Sequence, residues 1–425
     1  MNKEIISYTL IRALVFPARW MPYSWIHRIG KVVGRAAFYF LSNYRKRTLS
    51  NLALAKSLDL NNEQIVETAK QSFGNLAINC LEYAKIAADK KLFQTVQCQN
   101  PEVANELHAK GKGIVFFCAH QANWELLFLD GTTRMKGVAI AKESKNKKLY
   151  NWIVSIREQY GGKIIPQQSG LKEGLRALKA GAFLGIVGDQ GAPGSGYSFP
   201  FFGRTAWTST APALLAYKTN CPIIFAQIRR IAGKYQIHYS DPIWPDRKRP
   251  LEHEIVHMMD KTLTLLQDSI KEQPNQWLWQ HNRWKQQTPR NLYKEFRYDA
   301  ICVILPPDKV QFDEINPHLE TLKSLYPTEL FHLISKKGNI PSIHGDEIIY
   351  YENIDETLIE DYRFKLVFNF TDYKSIKKHY LRLSAFHVFN IDQLTKRAAP
   401  FLPKEYTLAD VFKQAICRQK ENHAS

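Results

Sequence analysis

His120 and Glu125 are separated by four residues in the string Ala119-His120-Gln121-Ala122-Asn123-Trp124-Glu125, which directly follows the apolar run Gly113-Ile114-Val115-Phe116-Phe117. A neutral imidazole can take a proton from a hydroxyl, and a carboxylate folded back beneath it fixes its tautomer and stabilises the imidazolium that forms. The pair reads as a general base with its orienting acid, provided the chain turns into a helix after His120. By spacing alone, H-x-x-x-x-E serves a purely structural role as readily. No serine sits in a G-x-S-x-G elbow, and Cys118 falls within or at the end of a strand. The chemistry expected is therefore direct attack by an activated hydroxyl, without a covalent enzyme intermediate.

The elements that must hold this pair are strands and helices in alternation. Short apolar runs at 113–117, 138–140, 163–165, 183–187, 221–225 and 235–238 read as strands, with helices expected near 147–160, 171–180, 208–219 and 252–272. The fold class is α/β, a mixed sheet flanked by helices, in which ligands gather beyond the carboxyl ends of strands. Two strands end on ionisable residues there: the first on His120, and the run 183–187 on Gly188-Asp189-Gln190-Gly191.

Charge is unevenly spread over the 425 residues. Residues 1–295 carry 41 Lys+Arg against 22 Asp+Glu, while residues 296–425 carry 17 against 18, so the net +18 belongs to the first two-thirds. Such an excess calls for an anionic partner. Nucleic acid is disfavoured, because the cations are interleaved with amphipathic apolar stretches and no nucleic-acid motif appears. The six cysteines have neither C-x-x-C nor zinc-like spacing, so free buried thiols of a reducing compartment are expected, with no metal and no cofactor.

The first fifty residues combine apolar side chains (Leu10, Leu14, Trp20, Trp25) with nine Lys+Arg and only Glu4 as an acid. Arg12 and Arg19 interrupt every stretch long enough to cross a bilayer. The pattern is that of amphipathic helices lying in an anionic membrane surface, with Arg12, Arg19, Trp20, Trp25, Arg28 and the triplet Arg45-Lys46-Arg47 at the headgroup level. The bland alternative is core helices whose arginines reach the solvent.

Five segments recur in a telling order: Arg47-x-x-x-x-Asn51-Leu52; His120-x-x-Asn123-Trp124-Glu125; Ile156-Arg157 with Gly161, Gly162 and Ile165-Pro166; Gly188-Asp189-Gln190 with Phe201-Phe202-Gly203; and Gln276-Trp277-Leu278-Trp279-Gln280-His281-Asn282-Arg283-Trp284-Lys285. Together they resemble the late acyltransferases of lipid A biosynthesis, within the glycerolipid acyltransferase-like group that shares H-x-x-x-x-D/E. The resemblance implies an acyl-carrier-protein thioester as donor and a hydroxyl of a phosphorylated lipid A precursor as acceptor, forming an acyloxyacyl group at the cytoplasmic face of the inner membrane. It implies His120 as the base and Glu125 as its orienting group. Arg157 would meet the acceptor phosphate or the developing charge, and Asp189 would hold Arg157 or the acceptor, unless Arg157–Asp189 is merely a supporting ion pair. Gln190 and Asn123 would contact substrate, Asn123 alternatively bracing the His120 loop. The closing Trp277–Lys285 segment is expected to pack the sheet edge and present a basic-aromatic rim to the membrane. Another glycolipid or aminolipid acceptor, or a non-catalytic protein that binds acyl carrier or lipid, would fit the same composition.

The expected organisation is interfacial helices over 1–50, an acyltransferase domain over 51–286, a polar linker over 287–299 and a second, smaller α/β domain over 300–425. That last, Rossmann-like part faintly resembles the opening βαβ of heptosyltransferase-type glycosyltransferases. Its first turn, Pro306-Pro307-Asp308-Lys309, lacks the glycines of a phosphate cradle, so a docking or stabilising role is favoured over a second activity.

Overall fold

The computed structural model describes residues 3–89 and 91–418. The chain forms two compact units, Met1–Leu41 with Glu67–Arg283 and Ser42–Val66 with Trp284–Ser425. Four helices open the chain: α1 (Lys3–Val15), α2 (Tyr23–Phe40), α3 (Ser42–Leu54) and α4 (Asn62–Ile86). Helix α2 buries Ile26, Gly30, Gly34 and Phe38, one residue per turn of a single stripe. Glycine is needed at two of these positions, because a Cβ on Gly34 would meet the Gly74 backbone of α4 at 2.4 Å and one on Gly30 would meet the Ile78 backbone at 2.9 Å. The backbones of α2 and α4 therefore approach more closely than side chains would allow.

The first unit continues through α5 (Leu92–Thr95), β1 (Val96–Cys98), α6 (Glu102–Ala109), β2 (Ile114–Cys118), α7 (Glu125–Thr132), β3 (Gly137–Ala141), α8 (Lys147–Arg157), β4 (Lys163–Pro166), α9 (Gly170–Lys179) and β5 (Phe183–Val187). A hairpin of β6 (Ser198–Phe201) and β7 (Arg204–Trp207) follows, then α10 (Ala211–Thr219), β8 (Ile223–Ile231), β9 (Lys234–Tyr239) and α11 (Leu251–Glu272). Seven strands form one sheet in the order β1-β9-β8-β2-β5-β3-β4, mixed because β8 and β9 run antiparallel. Strand β2 is buried along its whole length, as its unbroken apolar run requires of a strand covered on both faces. Its neighbours are β5 and β8, not the next strand in the chain.

The second unit is a five-stranded, wholly parallel sheet of β10 (Ala300–Ile304), β11 (Leu330–Lys336), β12 (Glu347–Tyr351), β13 (Leu366–Asn369) and β14 (His387–Phe389), in the order β12-β11-β10-β13-β14. This is a doubly wound arrangement. Within the stretch expected to be a linker, Leu292 and Phe296 are fully buried in this unit's core. The segment 42–66 also belongs here. The Ser50 hydroxyl donates to the Arg363 carbonyl at 2.8 Å, and the buried Lys365 ammonium lies 2.8 Å from Asp299 and 3.4 Å from Asn51 Oδ1. Lys46 Nζ donates to the Ala385 carbonyl at 2.7 Å, so it is turned into this unit, away from the headgroup level expected of it.

Candidate active site

Strands β2 and β5 are parallel neighbours with Cys118 opposite Val187, so the chain emerges from both at the same level. Two residues further on, His120 and Asp189 meet. Asp189 Oδ1 lies 2.7 Å from His120 Nδ1, and Asp189 Oδ2 accepts the His120 backbone N–H at 2.9 Å and the Trp277 indole N–H at 2.7 Å. A carboxylate can only accept, so Nδ1 carries the proton and Nε2 keeps its lone pair. Burial pushes the imidazole pKa down, but the Asp189 charge, its hydrogen bond and the field of Glu125 outweigh burial and leave it raised. Burial pushes Asp189 up, yet His120 and the Trp277 bond draw it down to about 2. The result is a base with a fixed tautomer and an orienting group held in its ionised form at neutral pH.

The expected pairing of carboxylates is exchanged. Glu125 makes no hydrogen bond to His120; it begins α7 and takes a bidentate pair from Arg157 at the end of α8, with Nε at 2.6 Å and Nη2 at 2.5 Å. Tyr83 of α4 donates to the same carboxylate at 2.5 Å. Burial raises the Glu125 carboxyl, and Arg157 and Tyr83 more than offset it, so Glu125 stays ionised. The physical cause is the turn between the two residues. Ala122 adopts φ +46° and Gln121 forms a bridge with Trp277, so the chain after His120 is not helical and α7 starts only at Glu125. The Arg157–Asp189 pair does not form, because Arg157 already faces Glu125.

His120, with 17% of its side chain accessible, opens onto a cleft of about 690 Å³. Trp124 stands edge-on to the imidazole, ring centroids 4.7 Å apart. Glu125, Arg157 and Gln190 are among its polar lining residues, and Phe116, Phe128 and Phe183 among its apolar ones. Among the described residues no group of three His, Cys, Asp or Glu side chains could hold a metal ion. A base held on a carboxylate and half-open to a partly apolar cleft can deprotonate a hydroxyl while a hydrocarbon tail is held out of water.

A family model of bacterial lipid A biosynthesis acyltransferases matches residues 3–286. The chain belongs to that family. Comparison with curated proteins finds no match.

In this acyltransferase, Asn123 does not reach the cleft. It donates to Glu82 of α4 at 2.7 Å, and Glu82, with no exposed surface, also lies 2.8 Å from His27 Nε2 of α2 and accepts the Tyr235 hydroxyl at 2.7 Å. The Ala122 carbonyl takes Asn75 and Asn79, and its N–H reaches the Gln276 carbonyl at 2.8 Å. A left-handed alanine costs roughly 1–2 kcal/mol, and these bonds hold it in place. The acyltransferase thus grips its His120 turn from α4 and from residues 276–278, where the Leu278 N–H meets the His120 carbonyl at 3.0 Å.

The family's closing signature is interior, not a rim. Trp277, Trp279 and Arg283 are buried, and Arg283 donates to the Trp207 carbonyl at 2.8 Å and Thr208 Oγ1 at 2.6 Å beneath the β6–β7 hairpin. Glu82, Tyr83 and the indole of Trp277 are site residues that the sequence did not announce. Of the residues expected at a membrane, Arg19, Trp20, Trp25 and Arg28 are exposed. Arg12 lies over the Trp152 ring at 4.6 Å, and Arg45, Lys46 and Arg47 are half-buried.

Proposed function

We propose that this family member transfers a fatty acyl chain from an acyl-carrier-protein thioester to a hydroxyl of a phosphorylated lipid A precursor. His120 Nε2 removes the hydroxyl proton as the oxygen attacks the thioester carbonyl. Asp189 holds the imidazole and stabilises its charged form, and the proton is then delivered to the departing thiolate. No bond to the enzyme forms at any stage. Arg157, ionised on Glu125 in the cleft lining, is the group to face the acceptor phosphate or the developing oxyanion, with Gln190 of the same lining as a neutral donor. The acyl chain lies in the apolar cleft. The observation that carries this reading is the 2.7 Å contact of Asp189 with His120, itself a residue of the cleft lining.

The site reads best at an anionic membrane, on its cytoplasmic side. No helix among the described residues is long and apolar enough to cross a bilayer. Among the described residues, twelve of the 24 exposed large hydrophobic side chains nevertheless fall within residues 6–41, including Leu14 at 76%, Trp20 at 66% and Phe40 at 84%. They alternate with Arg19, Arg28, Lys31 and Arg35, a composition that favours a headgroup boundary over water. The net +19 of residues 1–295 would also steer an acidic carrier protein.

Mass spectrometry of lipid A from cells lacking the protein, complemented with wild type or with His120→Ala, tests the reading. A single acyl mass restored by wild type and not by His120→Ala supports it. Identical lipid A in all strains refutes the acceptor, and full complementation by His120→Ala refutes the mechanism.

A further inference from the structure

The depth of the cleft can be followed row by row across the sheet. Successive residues of a strand face opposite sides, and β5 turns Phe183, Gly185 and Val187 to the cleft while β2 turns Phe116 and Cys118. The register aligns them: Cys118 lies opposite Val187, and Phe116 opposite Gly185. On the other flank of β5, Ala139 lies opposite Gly185 and Gly137 opposite Phe183. The row of Cys118 and Val187 is two residues below His120 and Asp189. The next row, Ala139-Gly185-Phe116, has small residues at two of its three places. The row below it holds the Phe183 ring.

Glycines decide what each row admits. A Cβ on Gly137 would meet the Phe183 ring at 2.1 Å, and one on Gly131 of α7 would meet it at 3.2 Å. The ring is therefore set into the space those two glycines leave, and its edge contacts with Phe116 and Phe128, centroids 5.3 and 5.8 Å apart, hold it there. It is one of the rings that line the cleft. Gly185 is the opposite case: a Cβ there would come no nearer than 3.5 Å to any atom, the Ala139 methyl being the first met. A Cβ at 185 therefore meets its neighbours at ordinary van der Waals distance, on a residue that lines the cleft.

We infer that Gly185 and Phe183 set the length of the acyl chain, Gly185 by leaving the second row open and Phe183 by blocking the third. The inference rests on the functional reading above. Four residues of strand separate the row of Cys118 from that of Ile114 and Phe183, a span of about 13 Å along the sheet. A chain that fits would run from the thioester carbonyl beside His120, past Gly185, to the Phe183 ring.

The test is the purified full-length protein with a lipid A precursor acceptor and a series of acyl-carrier-protein thioesters of increasing chain length, products quantified by mass spectrometry. Gly185→Val should move the optimum to shorter donors, changing the ratio of two adjacent even-length donors by about tenfold or more. Phe183→Ala should move it to longer ones. Opposite shifts are the signature, since general damage lowers all donors together. Unchanged length profiles in both folded variants, or uniform loss, overturn the inference while leaving the functional reading intact. A wild-type protein that acylates the acceptor from none of the donors overturns the functional reading, and the inference with it.

Discussion

The Trp277 indole donates to Asp189 Oδ2 at 2.7 Å, the same oxygen that takes the His120 backbone N–H at 2.9 Å. Two donors on one oxygen hold the carboxylate so that its other oxygen faces the imidazole. Trp277→Phe keeps the aromatic packing and removes only the donor. A hydrogen bond to a charged group is worth about 1.5–3 kcal/mol, so kcat should fall by roughly ten- to a hundredfold with KM little changed. An unaltered kcat would show that the backbone N–H suffices.

Asp189→Asn tests tautomer control and pH dependence together. An amide at this position can present an N–H to Nδ1 and reverse the tautomer, and kcat should fall on the order of a thousandfold or more. In the wild type, burial lowers the imidazole and Asp189 more than restores it, to above the ordinary value of 6.5. Because the base must be unprotonated, kcat/KM should drop as pH falls, with a midpoint above 6.5. In Asp189→Asn the raising charge is gone and burial remains, so the midpoint of the residual activity should move down. A midpoint that does not move would assign the titration to another group.

Arg157→Ala would leave the Glu125 carboxylate buried with the Tyr83 hydroxyl still donating to it. Breaking a buried pair from one side costs about 3–5 kcal/mol, which should appear as a lowered midpoint in denaturant. The Arg157→Ala/Glu125→Gln double variant should lose less than the sum of its parts. Additive losses would show that the two side chains act independently.

Glu82 gathers His27, Tyr235 and Asn123 on one buried carboxylate. Glu82→Leu strands all three, and should cost stability on the order of 3 kcal/mol and lower kcat through the His120 turn. A double-mutant cycle of Glu82→Gln with Asn123→Ala should give a coupling of about 1 kcal/mol or more. A coupling near zero would mean the turn is held by its backbone bonds alone.

Leu14→Glu/Trp20→Glu places charge on two of the most exposed apolar side chains of the first unit, 76% and 66% accessible. Sedimentation with anionic vesicles should show wild type in the pellet and the double variant largely in the supernatant. Equal partitioning would remove these side chains from any membrane contact.

The strands were readable because their apolar runs end in turns: the runs at 113–117, 138–140, 163–165 and 183–187 became β2, β3, β4 and β5 within a residue or two. β1 and β6 were missed because a three-residue Val-Gln-Cys and a proline-bearing Ser-Phe-Pro-Phe carry no such signal. In the site, His120 and Asp189 were found at strand ends, but their contact depends on β5 lying next to β2 with β3 outside it. Strand order is a property of the whole sheet, and spacing along one segment favoured Glu125 instead. Glu82 and Tyr83 lie some forty residues upstream on a helix whose pattern is merely amphipathic. Trp277 looked like packing because an indole is an apolar body with one polar atom, and only its neighbour tells which part matters.

The contact of Ser50 and Asn51 with Arg363 and Lys365 bears on how the gene can be cut. A stop codon after residue 286 would not remove a self-contained appendage. It would strip α3 of the Arg363 and Ala385 carbonyls that Ser50 and Lys46 donate to, and of Lys365 beside Asn51. A fragment beginning at residue 300 would lack the same helix from the other side. Separate production of the second unit therefore calls for a rearranged gene in which residues 42–66 are joined to 284–425, and the connection has to be engineered where the native chain leaves and returns.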